Sequence, residues 1–282
     1  MRILITGAGG MLAHDVVRAA TEAGHKPVAL TRAQLDVRDA SAIRARLGEE
    51  RPHAVINCAA FTDVDGAEDD LRSAMAVNAD AARNVAAAAA EIEAAVVYPS
   101  TDYVFDGLAD KPYTESSSPR PESVYGQTKL AGEHETAAAN PRHHVVRSSW
   151  LFGIAGRNFV ETMLTLAREH GEARVVADQI GRPTYTRHLA EALVAICGFE
   201  SRGLWHVAGG GSQSSWHDFA AEIFRQAGVD CRLSPCRTED FPRPAPRPPH
   251  SVLDSERPET PRLPAWQDGL AAYLAERAAP RA

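Results

Sequence analysis

Arg2-Ile3-Leu4-Ile5-Thr6-Gly7-Ala8-Gly9-Gly10-Met11-Leu12-Ala13 is the stretch that decides the fold of this chain. Three consecutive aliphatic residues bounded by a glycine cluster read as a short buried strand. Gly7 permits a tight turn, Gly10 lets backbone approach a pyrophosphate, and the small Ala13 lets the following helix lie close to the strand. A helix that opens on such a turn presents free N–H groups and the positive end of its dipole to phosphate. The spacing Gly-x-x-Gly-x-x-Ala departs from the commoner Gly-x-Gly-x-x-Gly, and a turn without a ligand is the competing reading. The position between strand and helix favours the phosphate loop.

Outward from this turn, helix is expected over 11–23 and strand over 27–30. Helix then follows over 41–47, strand over 54–57 and one long alanine-rich helix over 69–91. Strands over 94–98 and 143–147 flank a helix over 124–138. Strands that alternate with helices predict an α/β fold, a Rossmann-like doubly wound parallel sheet. Past Trp150 the rhythm loosens, with helices expected over 158–170, 187–197, 215–227 and 266–277 and strands over 173–176 and 203–207. The proline-rich run 241–249 fits neither helix nor central strand, because proline lacks a donor and fixes φ, so it is an ordered wrap or a loop. The expected organisation is a nucleotide-binding domain over 1–150. A smaller, partly interleaved C-terminal substrate lobe over 151–282 sends some segments back to the sheet.

A length of 282 residues suits one large α/β domain with a lobe, and a net charge of −7 argues against a nucleic-acid surface. The first apolar run is only strand length, and no stretch approaches a membrane span, so a cytoplasmic protein is expected. Cys58, Cys197, Cys231 and Cys236 lack metal-ligand spacing and read as reduced thiols, partly in the core.

The chemistry lies further along. Thr101 sits in Pro99-Ser100-Thr101-Asp102-Tyr103, after the fourth strand. Tyr125 and Lys129 stand one helical turn apart in Val124-Tyr125-Gly126-Gln127-Thr128-Lys129. A hydroxyl, a tyrosine and a lysine behind a nucleotide loop suggest reduction of a carbonyl by a nicotinamide. Tyr125 would donate the proton, an ammonium at Lys129 would ease that donation and hold ribose hydroxyls, and Thr101 would stabilise charge on the carbonyl oxygen. Leu30-Thr31-Arg32 ends the second strand without the acid expected for NADH, and Arg32 could meet a 2′-phosphate. This favours NADPH over NADH, although Arg32 reads equally well as a solvated surface arginine. Asp36 could be a helix cap or loop acid as easily as an adenine contact. Ala59, Ala60, Phe61 and Thr62 follow the third strand at the ligand edge, and their small members leave room for a cofactor or for plain packing.

At these residues the chain resembles the extended short-chain dehydrogenase/reductase superfamily, and within it the dTDP-4-dehydrorhamnose reductase family. The specific blocks are Ser100-Thr101-Asp102-Tyr103-Val104-Phe105, Asp178-Gln179-x-Gly181-x-Pro183-Thr184 and Arg247-Pro248-x-x-Ser251. The resemblance covers almost the whole chain. It implies reduction of the C4 ketone of dTDP-4-dehydro-6-deoxy-L-mannose to dTDP-L-rhamnose by NADPH or NADH. It implies catalytic roles for Thr101, Tyr125 and Lys129, and a cofactor lining of Gly7, Gly10, Met11, Leu12, Asp36, Val37, Ala60, Phe61, Thr62, Tyr125 and Lys129. Asp102 and Trp150 would touch the sugar, and Arg247 suits the substrate diphosphate, unless it is merely solvated.

Some members of the family dimerise through carboxylates and magnesium. Arg187 stands where one of those acids would be sought, so no metal is expected and a homodimer is left open. A 4,6-dehydratase is disfavoured, because Asp102 is followed by Tyr103 where relatives of that class carry glutamate. A 4-ketoreductase for another nucleotide-deoxysugar and a non-catalytic, cofactor-binding regulatory subunit remain as alternatives.

Overall fold

The computed structural model describes residues 1–279. Strand β1 (Arg2–Thr6) passes through α1 (Met11–Glu22) to β2 (Lys26–Leu30), and α2 (Ala40–Glu50) leads to β3 (Ala54–Asn57). Next come α3 (Gly66–Asp69), α4 (Leu71–Met75), a π-helical turn (Ala76–Asp80) and α5 (Ala81–Glu91), then β4 (Ala95–Thr101). Helix α6 (Val124–Ala139) precedes β5 (His143–Ser148). The remainder is β6 (Leu151–Phe152), α7 (Phe159–His170), β7 (Glu172–Val176), β8 (Ile180–Gly181), β9 (Thr184–Tyr185), α8 (Thr186–Ile196), β10 (Gly203–His206), β11 (Ser214–Ser215), α9 (Trp216–Ala227), β12 (Arg232–Cys236) and α10 (Trp266–Ala278).

Six strands form one parallel sheet in the order β2-β1-β3-β4-β5-β10. The order reverses at β1, so a crevice opens between the carboxyl ends of β1 and β3, where ligands of such sheets bind. Side chains alternate between two cores, as the period of a strand requires. Ile3, Ile5, Ile56 and Val97 pack with Ala13 and Val16 of α1 and Leu189 and Leu193 of α8. Leu4, Val55 and Val96 pack on the other face, with Ile43 and Leu47 of α2 and Val85 and Ala89 of α5.

A third core gathers Phe152, Met163, Tyr185, Phe219, Trp266 and Tyr273 from beyond the sheet's first five strands. The chain past residue 151 therefore supplies its own core, yet it also returns β10 to the sheet and lays α8 against α1.

The long helix expected over 69–91 is broken. Asp70 leaves helical geometry at φ −132° and ψ 60°, and its carboxylate caps the Ser73 N–H at 3.0 Å. The π turn then adds a residue and turns Asn78 inward, where it is fully buried. Alanine propensity permits helix throughout, but polar residues that find better partners elsewhere override it.

The proline-rich run is an ordered wrap. The Ala245 N–H donates to Asp65 Oδ1 at 3.2 Å, the Ile180 N–H to the Pro249 carbonyl at 2.8 Å, and the Ser251 N–H to the Ile180 carbonyl at 2.7 Å. Among the described residues no helix is long and apolar enough to cross a membrane.

Candidate active site

Two loops meet at the crevice. Gly7 has φ +65°, and a Cβ there would lie 2.7 Å from the Ala59 amide nitrogen, so the loops after β1 and β3 touch through backbone. The Gly10 N–H returns to the Gly7 carbonyl at 2.9 Å, and no side chain caps α1. Its first-turn N–H groups are left for an anion, which fits a cofactor diphosphate. Met11 and Leu12 are half-buried beside the turn, while Ala13 is fully buried in the core, so the third glycine of the usual motif is replaced by a residue that packs.

Ala59, Ala60 and Phe61 are half-buried and Thr62 is exposed. This loop is held by Asn78, a residue with no role in the sequence reading. Asn78 Oδ1 accepts from the Phe61 N–H at 2.8 Å, and its Nδ2 donates to the Phe61 carbonyl at 3.1 Å and to Thr128 Oγ1 at 3.0 Å. The signal in the sequence was an amide inside an alanine-rich stretch.

At the end of β2, Arg32 is exposed and has no ion pair among the described residues. Asp36 is engaged by Arg38, with Nη2 2.5 Å from Oδ2, and that guanidinium holds the carboxyl down at about 2. The Val37 side chain belongs to the core rather than to an open surface.

Helix α6 carries the reactive pair. Ser123 caps it, accepting from the Gly126 N–H at 3.1 Å. Gly126 faces the Tyr103 carbonyl, and Gly132 faces the Asn78 carbonyl and the Tyr98 hydroxyl, at separations no Cβ could occupy. The helix is thus seated directly on its neighbours. Thr101, at the end of β4, is buried, accepts from the Tyr103 N–H at 3.2 Å and donates to Asp102 Oδ1 at 3.0 Å. The Tyr125 ring meets Tyr103 edge-on at 5.7 Å. Burial pushes the Tyr125 hydroxyl above its ordinary value, the charge of Asp102 acts in the same direction, and a hydrogen bond with Thr101 opposes both.

Lys129 is buried, donates to the Pro99 carbonyl at 2.8 Å and lies 4.0 Å from the centroid of the Tyr98 ring. Burial lowers it to about 7, against the opposing effects of Glu133 and then Cys58. Burial is the largest influence on both Tyr125 and Lys129.

Asp102 is buried, and burial raises it to about 6, while the nearby Ser251 hydroxyl and Thr101 hold it down. Its Oδ2 has no hydrogen-bond partner among the described residues. A buried oxygen left in this way is suited to a ligand hydroxyl. Ser251 is the last residue of the Arg247-Pro248-x-x-Ser251 block, which explains what that block brings to the site.

Trp150 follows β5 with a left-handed φ of +51°. Its indole stacks on Trp216 at 3.6 Å and 3° between planes, and it occupies the space where Gly181 has no side chain. Strain at a bulky residue persists only where surroundings hold it, and these two do. Sequence reasoning missed Trp216, since nothing local marks it as the partner of a residue so far away.

Arg247 has a partner that the sequence reading did not foresee. Its Nη1 and Nη2 lie 2.9 and 3.0 Å from Oδ1 and Oδ2 of Asp65, a two-pronged pair that ties the wrap to the chain after β3. It still lines a cavity of about 300 Å³ with Tyr103, Phe105, Ser123 and Pro248. Arg187 is occupied by Glu22 and Glu191.

The chain matches, over residues 1–279, the family described as RmlD substrate binding domain. It is 44% identical over 260 residues to a dTDP-4-dehydrorhamnose reductase of Mycolicibacterium smegmatis, covering 91% of this chain and 79% of that one. Identity is also 44% over 260 residues to a probable dTDP-4,6-dihydroxy-2-methyloxan-3-one 4-ketoreductase of Streptomyces antibioticus, covering 91% and 88%. The solved dTDP-4-dehydrorhamnose reductase of Bacillus anthracis, in complex with NADP, superposes with a TM-score of 0.94 at 37% identity, covering 98% of this chain and 99% of that one.

Proposed function

The chain belongs to the RmlD substrate binding domain family, and from that premise we infer that it reduces the C4 ketone of dTDP-4-dehydro-6-deoxy-L-mannose to dTDP-L-rhamnose. The observation that carries the reading is the meeting of Thr101 and Tyr125 at the carboxyl end of β4, with Lys129 one turn behind.

NADPH or NADH supplies the hydride that C4 receives. The uncapped start of α1 and the Gly7–Gly10 turn hold the diphosphate, with Met11, Leu12, Ala59, Ala60, Phe61 and Thr62 along the crevice. Arg32 meets a 2′-phosphate, which favours NADPH. Tyr125 gives its proton to O4 as the hydride arrives, and its raised affinity for that proton means it enters the reaction as the acid. Thr101 donates to the same oxygen and stabilises its developing charge. Lys129 holds the ribose hydroxyls. On the substrate side, the free Asp102 oxygen takes a sugar hydroxyl and Trp150 forms a wall of the sugar pocket. Residues 1–150 hold the cofactor and also bring Asp102 and Trp150 to the sugar, while the lobe beyond residue 150 backs them with Trp216 and Ser251.

A second reading is a ketone on another dTDP-deoxysugar, favoured by the equally similar Streptomyces relative. The same donor set would serve, and only the sugar wall would change. The test is oxidation of NADPH and NADH, followed at 340 nm, with dTDP-4-dehydro-6-deoxy-L-mannose formed in situ. Turnover to dTDP-L-rhamnose supports the first reading. Folded, cofactor-binding protein without turnover refutes it and sends the search to other deoxysugar ketones.

A further inference from the structure

Helix α6 carries a second charged residue behind Lys129. Glu133 lies one further turn along the same side. Its side chain is only 5% exposed, and that of its partner Arg147, on β5, is 3% exposed. Glu133 Oε1 accepts from Ser100 Oγ at 2.5 Å and from Arg147 Nε at 2.8 Å, and Oε2 accepts from Arg147 Nη2 at 2.6 Å. Arg147 Nη1 is 3.4 Å from His206 Nε2, and the guanidinium lies 5.0 Å from the Phe105 ring centroid.

A fully buried ion pair is a weak source of stability, because desolvation consumes most of its attraction. Its placement therefore calls for another account. Ser100 stands between Pro99, whose carbonyl holds the Lys129 ammonium, and Thr101. Lys129 is faced by the Tyr98 ring and the Pro99 carbonyl of β4, by Cys58 beyond β3, and by its own helix. Burial holds the Cys58 thiol up at about 12, so it is neutral. Of the groups acting on Lys129, Glu133 is the one carboxylate.

We propose that Glu133 is a positioning residue for the reduction: its buried charge, aimed by Ser100 and Arg147, keeps Lys129 an ammonium beside the Tyr125–Thr101 pair. The proposal rests on the reading of Lys129 given above. The carboxylate does not touch substrate. It acts through the lysine, while Ser100 and Arg147 fix its orientation.

The chain contains only three lysines, Lys26, Lys111 and Lys129, and the first two are exposed. Lysine-selective ¹³C labelling therefore gives three Cε signals, of which that of Lys129 is the buried one. Glu133→Gln should lower the Lys129 titration by about one pH unit or more and leave Lys26 and Lys111 in place. The basic limb of kcat/KM should move down with it. A folded E133Q protein whose Lys129 titrates as in the parent overturns the proposal, since a merely structural role would cost stability without moving that signal. Should E133Q not fold, Glu133→Asp, which keeps the net charge of the ion pair and draws the carboxylate back from Lys129, takes its place: a lowered Lys129 titration is expected, and an unmoved one overturns the proposal. The titration needs no substrate, so lack of turnover on the keto-sugar refutes the substrate reading and leaves the Glu133 result to stand or fall separately.

Discussion

Asn78→Ala isolates what the π turn contributes. The amide makes three hydrogen bonds, to the Phe61 N–H, the Phe61 carbonyl and Thr128 Oγ1, at 2.8, 3.1 and 3.0 Å, the last of them buried. At about 1 kcal/mol net for each, the variant should lose roughly 3 kcal/mol, less a few tenths regained from alanine's helical preference. The Tyr98 hydroxyl bond to the Asn78 backbone carbonyl survives, because only the side chain is removed. Urea unfolding should show a lower midpoint at unchanged slope. The Phe61 loop loses its anchor, so NADPH affinity, measured by fluorescence titration, should fall at least about fivefold, equivalent to roughly 1 kcal/mol. Asn78→Asp keeps the acceptor for the Phe61 N–H but sets a buried carboxylate oxygen against the Phe61 carbonyl, so it should cost at least as much as Asn78→Ala. A variant within about 0.5 kcal/mol of the parent, with unchanged NADPH affinity, would refute the reasoning and show that the loop is held by its own packing.

Tyr125→Phe should lower turnover by about two to four orders of magnitude and leave cofactor affinity intact; near-normal turnover would remove Tyr125 as donor. Arg32→Ala should weaken NADPH about tenfold or more in equilibrium titration while sparing NADH, and equal losses would place Arg32 away from the 2′-phosphate. Asp102 is raised from 3.8 to about 6 in the folded protein, so its favourable contribution is complete below about 4 and lost as pH rises through about 6. Asp102→Asn should therefore gain on the parent across that window, by roughly 3 kcal/mol in total, and parallel stability curves from pH 4 to 7 would contradict the shift.

Much of this architecture is legible in local pattern. The β1 run and its glycine turn announce the sheet, and alternating strands and helices announce its parallel order. Thr101, Tyr125 and Lys129 lie close in sequence to the elements that bring them together, so spacing alone reaches them. What escapes are the contacts made across long separations. Arg247 meets Asp65 across the wrap, Trp216 stacks on Trp150, and Ser251 reaches Asp102, none with a local signature. The break at Asp70 and the π turn escape for a different reason: the alanine background favours helix, and the choice falls to one buried amide whose partners are distant. Electrostatics escapes as well, since a Tyr–Lys pair suggests mutual stabilisation, while the depth of the site makes burial the larger influence on both.

Gly126 and Gly132 give α6 a further consequence. The helix bearing the donor and the lysine rests on the Tyr103 and Asn78 carbonyls and the Tyr98 hydroxyl with nothing interposed. A helix cushioned by side chains can creep along its axis as those side chains change; this one would collide with fixed atoms first. The offset between Tyr125 and Thr101 is thus a dimension set by main chain, close to invariant under drift elsewhere. Trp150 is held almost as closely, with its indole against the backbone of Gly181. If the proposed roles hold, sugar preference can shift through Trp216 and the proline wrap, while the helix bearing Tyr125 and Lys129 travels unchanged as a rigid cassette.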